Sequence, residues 1–294
     1  MKNNKFSRRQ FCQMSALAGV GLTTLGTRTL WANPPANNMK LGLVTYQWGK
    51  DWDLPTLIKN CEITGMEAVE LRTEHAHKVE PNLTAAQRKE VKKRFADTKV
   101  VCVGYGSNQE FHSPDPAVLR KQIEGTFELI KLCHDIGATG VKVKPNTLPK
   151  EVAREKTIEQ IGKSLNEIGK YAKDYGQLIR VECHGPITQE IPNMKAIFEH
   201  VDQPNVKACW NSNPPDLNHP GLEAHFDMLK KWIGDTCHIN KFTVGDYPYQ
   251  KLFELFAEIN YKGWFLLEES IEVPDKIQAL KDRKKAFDEM MKKI

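Results

Sequence analysis

From Lys40 onward, short apolar runs alternate with longer amphipathic segments. The first run, KLGLVTY at 40–46, is apolar and β-branched and reads as a strand. Asp53 and Pro55 then open a helix that Gly65 closes. The same alternation predicts strands at 68–72, 99–105, 140–144, 178–184, 206–211, 237–244 and 264–268. Helices are predicted between them at 85–97, 116–136, 157–175, 193–200, 222–233 and 249–260, with a last one at 274–293. Within 157–175, Ile158, Ile161, Leu165, Ile168 and Tyr171 recur at three- and four-residue steps, which gathers them on one helix face.

Strands that alternate with longer helices predict a parallel sheet, and eight such units predict a closed α/β barrel, the (β/α)8 TIM barrel. The competing open, doubly wound sheet needs a glycine fingerprint after its first strand. Thr45–Tyr46–Gln47–Trp48–Gly49 is not one. A chain of 294 residues has room for one such barrel plus a short leader.

The leader is legible as a targeting segment. Lys2, Lys5, Arg8 and Arg9 form a basic head, followed by a broken apolar stretch too short to span a bilayer as a permanent helix. Ser7–Arg8–Arg9–Gln10–Phe11 is similar to the twin-arginine export signal. Residues 1–32 are therefore expected to be a signal peptide, cut after Leu30–Trp31–Ala32, with 33–39 a flexible lead-in and 40–294 the barrel. This places the mature protein in the periplasm without a stable membrane anchor. Cys61, Cys102, Cys133, Cys183, Cys209 and Cys237 all fall inside predicted elements without C-x-x-C spacing, so they are expected to be buried free thiols. A hydrophobic share of 40% with 27% charged residues is globular. A formal charge of +5 without long runs of like charge gives no reason to invoke nucleic acid.

The chemistry gathers at the predicted C-terminal ends of strands, where such barrels build their sites. Strand two ends in Glu70–Leu71–Arg72 with His75 and His77 just beyond, and strand four ends in Lys142–Val143–Lys144. The fifth strand ends in Glu182–Cys183–His184, where alternation points Glu182 and His184 the same way. Strand six ends in Asn211, strand seven carries His238 and strand eight ends in Glu268. Two carboxylates, an amide oxygen and an imidazole suit Mn²⁺, Co²⁺, Mg²⁺ or Zn²⁺, so Glu182, Asn211, His238 and Glu268 form a candidate metal set. The alternative is a polar barrel mouth satisfied by its own hydrogen bonds.

The Glu-x-His of strand five, the His of strand seven and the Glu of strand eight after Tyr261–Lys262–Gly263 together resemble the xylose isomerase-like TIM-barrel superfamily. This is the sugar phosphate isomerase/epimerase group, which also includes endonuclease IV. The resemblance spans the chain from Lys40 to its end. It departs at Asn211, where the family carries Asp, and at Lys241–Phe242, where an Asp follows the strand-seven His.

The resemblance implies proton transfer next to a sugar carbonyl. Glu182 and Glu268 would remove and return the proton, His184 would orient substrate or relay a proton, and Lys142 or Lys144, the latter nearer the mouth, would stabilise developing negative charge. Arg72, His75 and His77 would bind sugar hydroxyls. Export favours a neutral sugar, a keto-sugar or a glycoside, and the same enolisation on a 3-keto-glycoside would make a lyase. A metal-free, non-catalytic sugar-binding barrel is the rival that Asn211 favours. The expected partner is a small carbohydrate, with no nucleic acid, and self-assembly into a homo-oligomer is compatible.

Overall fold

The computed structural model describes residues 38–294. The proposed signal sequence and most of the lead-in lie outside them. Eight parallel strands close into a barrel in strictly sequential order. They are β1 (Lys40–Val44), β2 (Ala68–Arg72), β3 (Val101–Glu110), β4 (Gly140–Lys144), β5 (Leu178–Glu182), β6 (Val206–Asn211), β7 (Ile233–Ile239) and β8 (Trp264–Leu267). The helices between and after them are α1 (Leu54–Thr64), α2 (Ala85–Ala96), α3 (Pro116–Ile136), α4 (Arg154–Asp174), α5 (Ile191–Phe198), α6 (Leu222–Leu229), α7 (Tyr249–Glu258) and α8 (Lys276–Met291). Among the described residues, no helix is long and apolar enough to cross a membrane.

Local chemistry sets the boundaries. Asp53 accepts from the Thr56 amide at 2.9 Å to start α1, and Gly65 ends it in the left-handed conformation at φ 76°. Thr84 and Gln87 form a reciprocal capping box on α2. The main shift from the sequence-based expectation is at β7. The helix expected to run to Ile233 stops at Leu229, passes through a 3-10 turn (Lys230–Trp232), and the strand begins at Ile233. The strand expected to reach Val244 ends at Ile239, and Lys241 and Thr243 take positive φ. The apolar run was visible; the turn that moves its start four residues upstream has no Gly or Pro at Lys230–Trp232 to mark it.

Most of the apolar core lies between strands and helices, with aromatic packing of Phe253, Phe256, Phe265 and Phe287 at the α7–β8–α8 corner. The strand faces that carry Glu70 and Glu268 also carry Ala68 and Leu266, in a small separate apolar cluster with Val44 and Val103. Next to it lies a buried arginine. Arg180 donates to Asp235 Oδ1 and Oδ2 at 2.8 and 2.9 Å, to the Val103 carbonyl at 2.8 Å and to Thr139 Oγ1 at 2.8 Å. A Cβ at Gly140 would stand 2.8 Å from the Arg180 guanidinium, and one at Gly104 closer still. These two glycines give the guanidinium its room. The six cysteines of the described chain are free and buried.

Candidate active site

Glu182 ends β5, and burial is complete around it. Lys142 Nζ, equally buried on β4, donates to its Oε2 at 2.6 Å. Asn211 Nδ2 donates to its Oε1 at 3.0 Å, and His238 Nδ1 stands 3.4 Å from that oxygen. The same His238 Nδ1 lies 3.5 Å from Glu268 Oε2 at the end of β8. On the other side of the ring, His238 Nε2 faces Glu70 Oε1 at 3.3 Å. That pair is not aligned as a hydrogen bond, and neither Glu70 oxygen has another hydrogen-bond partner. Burial works against ionised Glu182, yet Lys142 and His238 hold its carboxyl well below the usual range. For His238, burial disfavours the charged ring, but Cys209, Glu70 and Glu268 outweigh it and hold the imidazole well above its ordinary value.

One atom each from Glu182, His238 and Glu268 can be chosen so that all three lie within 4.8 Å of one another. These are the three charged members of the expected metal set. Asn211 joins the cluster differently. It offers nitrogen to Glu182, while its carbonyl oxygen accepts from Asn240 Nδ2 at 3.2 Å. Its oxygen is therefore engaged away from Glu182.

Above this cluster lies a cavity of about 650 Å³, whose wall includes Tyr46, Arg72, Lys144, His184, Asn213 and Glu268. Glu268 reaches it, whereas Glu182 and His238, both fully buried, do not form part of its wall. Glu182 was expected to face substrate as a second proton carrier; here Lys142 and Asn211 occupy its two oxygens below the cavity floor. His184 does reach the cavity, with Nδ1 set against Asn146 Oδ1 at 3.1 Å, and burial pulls its ring below the ordinary imidazole value.

His75 and His77 are placed outside the wall. His75 Nδ1 pairs with Thr45 Oγ1 at 3.0 Å. His77 uses Nε2 on the Arg72 carbonyl at 2.8 Å and Nδ1 on the Val79 amide at 3.0 Å, and burial pulls it down to about 4. A neutral ring with both nitrogens bound to its own loop shapes that loop and has no atom left for a sugar hydroxyl. Three residues carry more than expected. Lys142, set aside in favour of Lys144, is the one that touches Glu182. Glu70 backs His238. Both share a strand face with a residue already singled out, Lys144 and Arg72, so the two-residue alternation was the signal. Asn108, which joins Arg72 to Lys144, lies in a part of β3 beyond the expected strand.

The loop after β6 holds a further buried acid. Asp216 Oδ2 accepts from the Asn213 amide at 3.0 Å and the Tyr247 hydroxyl at 2.7 Å, while Oδ1 is buried without a hydrogen-bond partner. Burial pushes this carboxyl up to about 7, against the opposing bonds from Tyr247 and Asn213. The unfolded chain releases that proton near 3.8, so the group's contribution to stability falls as pH rises from about 4 to 7. Asp216→Asn keeps both acceptor bonds and removes the titration. It is expected to gain about 2 kcal/mol on the wild type between about pH 5 and pH 8, read from urea unfolding at the two pH values.

Solved structures with this fold include a 3-keto-D-glucoside 4-epimerase from E. coli, 14% identical over 85% of this chain and 99% of that one, with a TM-score of 0.71. An L-ribulose 3-epimerase is 14% identical over 87% of this chain and 95% of its own, with a TM-score of 0.74. The IOLI protein, solved with a bound zinc atom, is 17% identical over 87% and 99%, with a TM-score of 0.72. At such identities the likeness concerns the fold. The family model described as xylose isomerase-like TIM barrel matches residues 58–293, which is most of the chain. The chain belongs to the xylose isomerase-like TIM barrel family.

Proposed function

We propose that this protein is a divalent-metal-dependent sugar isomerase or epimerase that moves a proton next to a sugar carbonyl. The observation that carries the reading is the convergence of Glu182 and Glu268 on His238 Nδ1, directly beneath a cavity that Glu268 lines. Neighbours in fold are by name sugar epimerases, and another holds zinc. The twin-arginine-like Ser7–Arg8–Arg9–Gln10–Phe11 supports placing the reaction in the periplasm.

The donors fit such an ion. Two carboxylates and one imidazole nitrogen are an ordinary set for a divalent cation. The second imidazole nitrogen faces the otherwise unbonded Glu70 carboxylate, the kind of partner that fixes the tautomer and orientation of a ligating histidine. Glu182, His238 and Glu268 would hold the ion. When bound there, it supplies Lewis acidity to the sugar's carbonyl and hydroxyl oxygens.

The remaining work falls to the chain's own groups. Glu268, the carboxylate that reaches the cavity, removes the proton from the carbon next to the carbonyl. His184, on β5's end and three strands round the barrel, receives or returns it through the nitrogen not set against Asn146. Lys142 neutralises Glu182 and fixes it below the cavity. Asn211 and Asn213 line the wall with their amide nitrogens committed to Glu182 and to the Cys183 carbonyl, so they hold the floor of the cavity in shape.

A second reading uses the same enolisation to expel the C1 substituent of a 3-keto-glycoside. The cavity's volume of about 650 Å³ favours it, because that exceeds what a monosaccharide alone fills and leaves space for an aglycone.

The test is solvent-deuterium incorporation into keto-sugars and 3-keto-glycosides, with the ion removed by chelation and then restored as Mn²⁺, Co²⁺, Mg²⁺ or Zn²⁺. Exchange that needs the ion supports the reading, and aglycone release selects the lyase. No exchange with any ion, together with no ion retained after purification, supports the non-catalytic barrel instead. Glu70→Gln is expected to weaken ion binding by about 10- to 100-fold in a direct metal titration.

A further inference from the structure

Two cations at the cavity rim stand without a close carboxylate partner. Lys144 is buried, and its Nζ comes only within 3.8 Å of Glu110 Oε1. Arg72 Nη1 donates to Glu268 Oε1 only at the long distance of 3.5 Å. For comparison, the Lys142–Glu182 contact in the same barrel is 2.6 Å. Beside these long carboxylate contacts, both rim cations share one neutral atom: Asn108 Oδ1 accepts from Arg72 Nη2 at 3.2 Å and from Lys144 Nζ at 3.3 Å. Arg72 Nε is buried with no hydrogen-bond partner, and the guanidinium lies 5.4 Å from the centre of the Tyr46 ring, another cavity wall residue.

The electrostatics around Lys144 agree with that geometry. Burial, then Lys142, lowers the ammonium below its ordinary value, while Glu182 and Glu110 offset this only in part and Arg72 adds to it. Two converging positive groups that share a single amide oxygen are arranged for a bidentate, charge-assisted contact with an anion. A sugar hydroxyl needs no such pair.

We infer that the substrate is an anionic sugar whose carboxylate or phosphate ester seats between Arg72 and Lys144 at the Asn108 side of the cavity. This rests on the reading of the cavity as a sugar site, and it replaces the neutral sugar expected from export. The anion takes the place of the amide oxygen as acceptor for both cations and gives the buried Arg72 Nε a partner within reach. Glu268 then keeps its face toward the reacting carbon while Arg72 holds the distal end, so the same arginine sets the distance between the charged group and the carbon that exchanges its proton.

Titration calorimetry of the full chain with D-glucuronate, D-glucose 6-phosphate and D-glucose tests this. The anionic sugars are expected to bind at least tenfold more tightly than glucose, and the advantage should shrink as salt is raised. Lys144→Gln should cost the anions about tenfold more than it costs glucose, while Lys144→Arg should keep the preference. Tighter glucuronate binding assigns the group to a carboxylate, and tighter glucose 6-phosphate binding to a phosphate ester; either supports the inference. Failure of both anions to bind more tightly than glucose overturns it, as does a Lys144→Gln effect equal on all three. The readout is independent of turnover. Anion preference without deuterium exchange counts against proton transfer alone, and exchange confined to neutral sugars counts against this inference alone.

Discussion

Glu268→Gln is expected to lower the rate of deuterium incorporation into substrate by about 10²–10⁴-fold while the barrel stays folded. The reason is the position of Glu268. It is the carboxylate of the buried cluster that also lines the cavity, with a side chain 12% exposed against 1% for Glu182. A general base must reach the proton it removes, and amide nitrogen in place of a carboxylate oxygen removes basicity at constant shape. The Gln side chain keeps one acceptor oxygen, enough for either Arg72 Nη1 or His238 Nδ1 but not for both, so a modest loss of thermal stability should accompany the loss of rate.

Glu182→Gln is the contrasting variant. Its oxygens already serve Lys142, Asn211 and His238, so its loss should appear first as weaker ion binding in a metal titration and as lost stability. If Glu268→Gln retains exchange while Glu182→Gln loses it with the ion still bound, Glu182 is the base and the cavity opens further in solution than the structure shows. Kinetics and metal content measured on the same preparations separate the two cases.

The barrel was readable from the sequence because each strand is a short apolar run and each helix carries caps that chemistry marks, as at Asp53, Thr84, Gly65 and Gly137. The ends of β5, β6, β7 and β8 were readable for the same reason: polar residues that interrupt a buried run have to face the barrel mouth. What the pattern leaves open is depth. Lys142 and Lys144 differ by one step of the same face, and nothing in the local sequence says which one touches Glu182. Register decides it. Lys142 pairs with Arg180 in the β4–β5 ladder, one step below Glu182, so its long side chain extends up to the carboxylate while Lys144 passes it and reaches Asn108.

His77 illustrates a second limit. A histidine two residues from another, just past a strand, reads as a ligand or as a substrate contact. Its burial and its two backbone bonds depend on a loop whose path, with Glu74 and Lys78 at positive φ, has no glycine to announce it. Asn211 shows the converse. Its identity alone signalled a departure from an acidic ligand, but only the neighbouring Asn240 and Glu182 determine which end of the amide faces the cluster.

Lys142→Met is the substitution expected to cost most in stability, about 3–5 kcal/mol in urea unfolding near neutral pH. Methionine fills most of the lysine's volume, so the loss is electrostatic rather than a cavity. Glu182 stays fully buried with one oxygen stripped of its 2.6 Å partner, and Asn211 and His238 satisfy only the other. The pH dependence follows from the sign of the carboxyl's shift. In the wild type the folded-state value lies well below the ordinary one, so the pair's stabilisation is present above the ordinary glutamate range and is lost as pH falls through the folded-state value. Without Lys142 that depression is reduced, since Lys142 is the first of the groups that oppose burial, with His238 still acting the same way. The deficit of the variant should therefore be greatest near neutral pH and shrink as pH falls into the ordinary glutamate range. Lys142→Met combined with Glu182→Gln should recover part of the loss at neutral pH, because the uncompensated charge is gone and the amide still accepts from Asn211. A double variant no more stable than Lys142→Met alone would show that the lysine holds β4 in place by packing and that its charge is incidental.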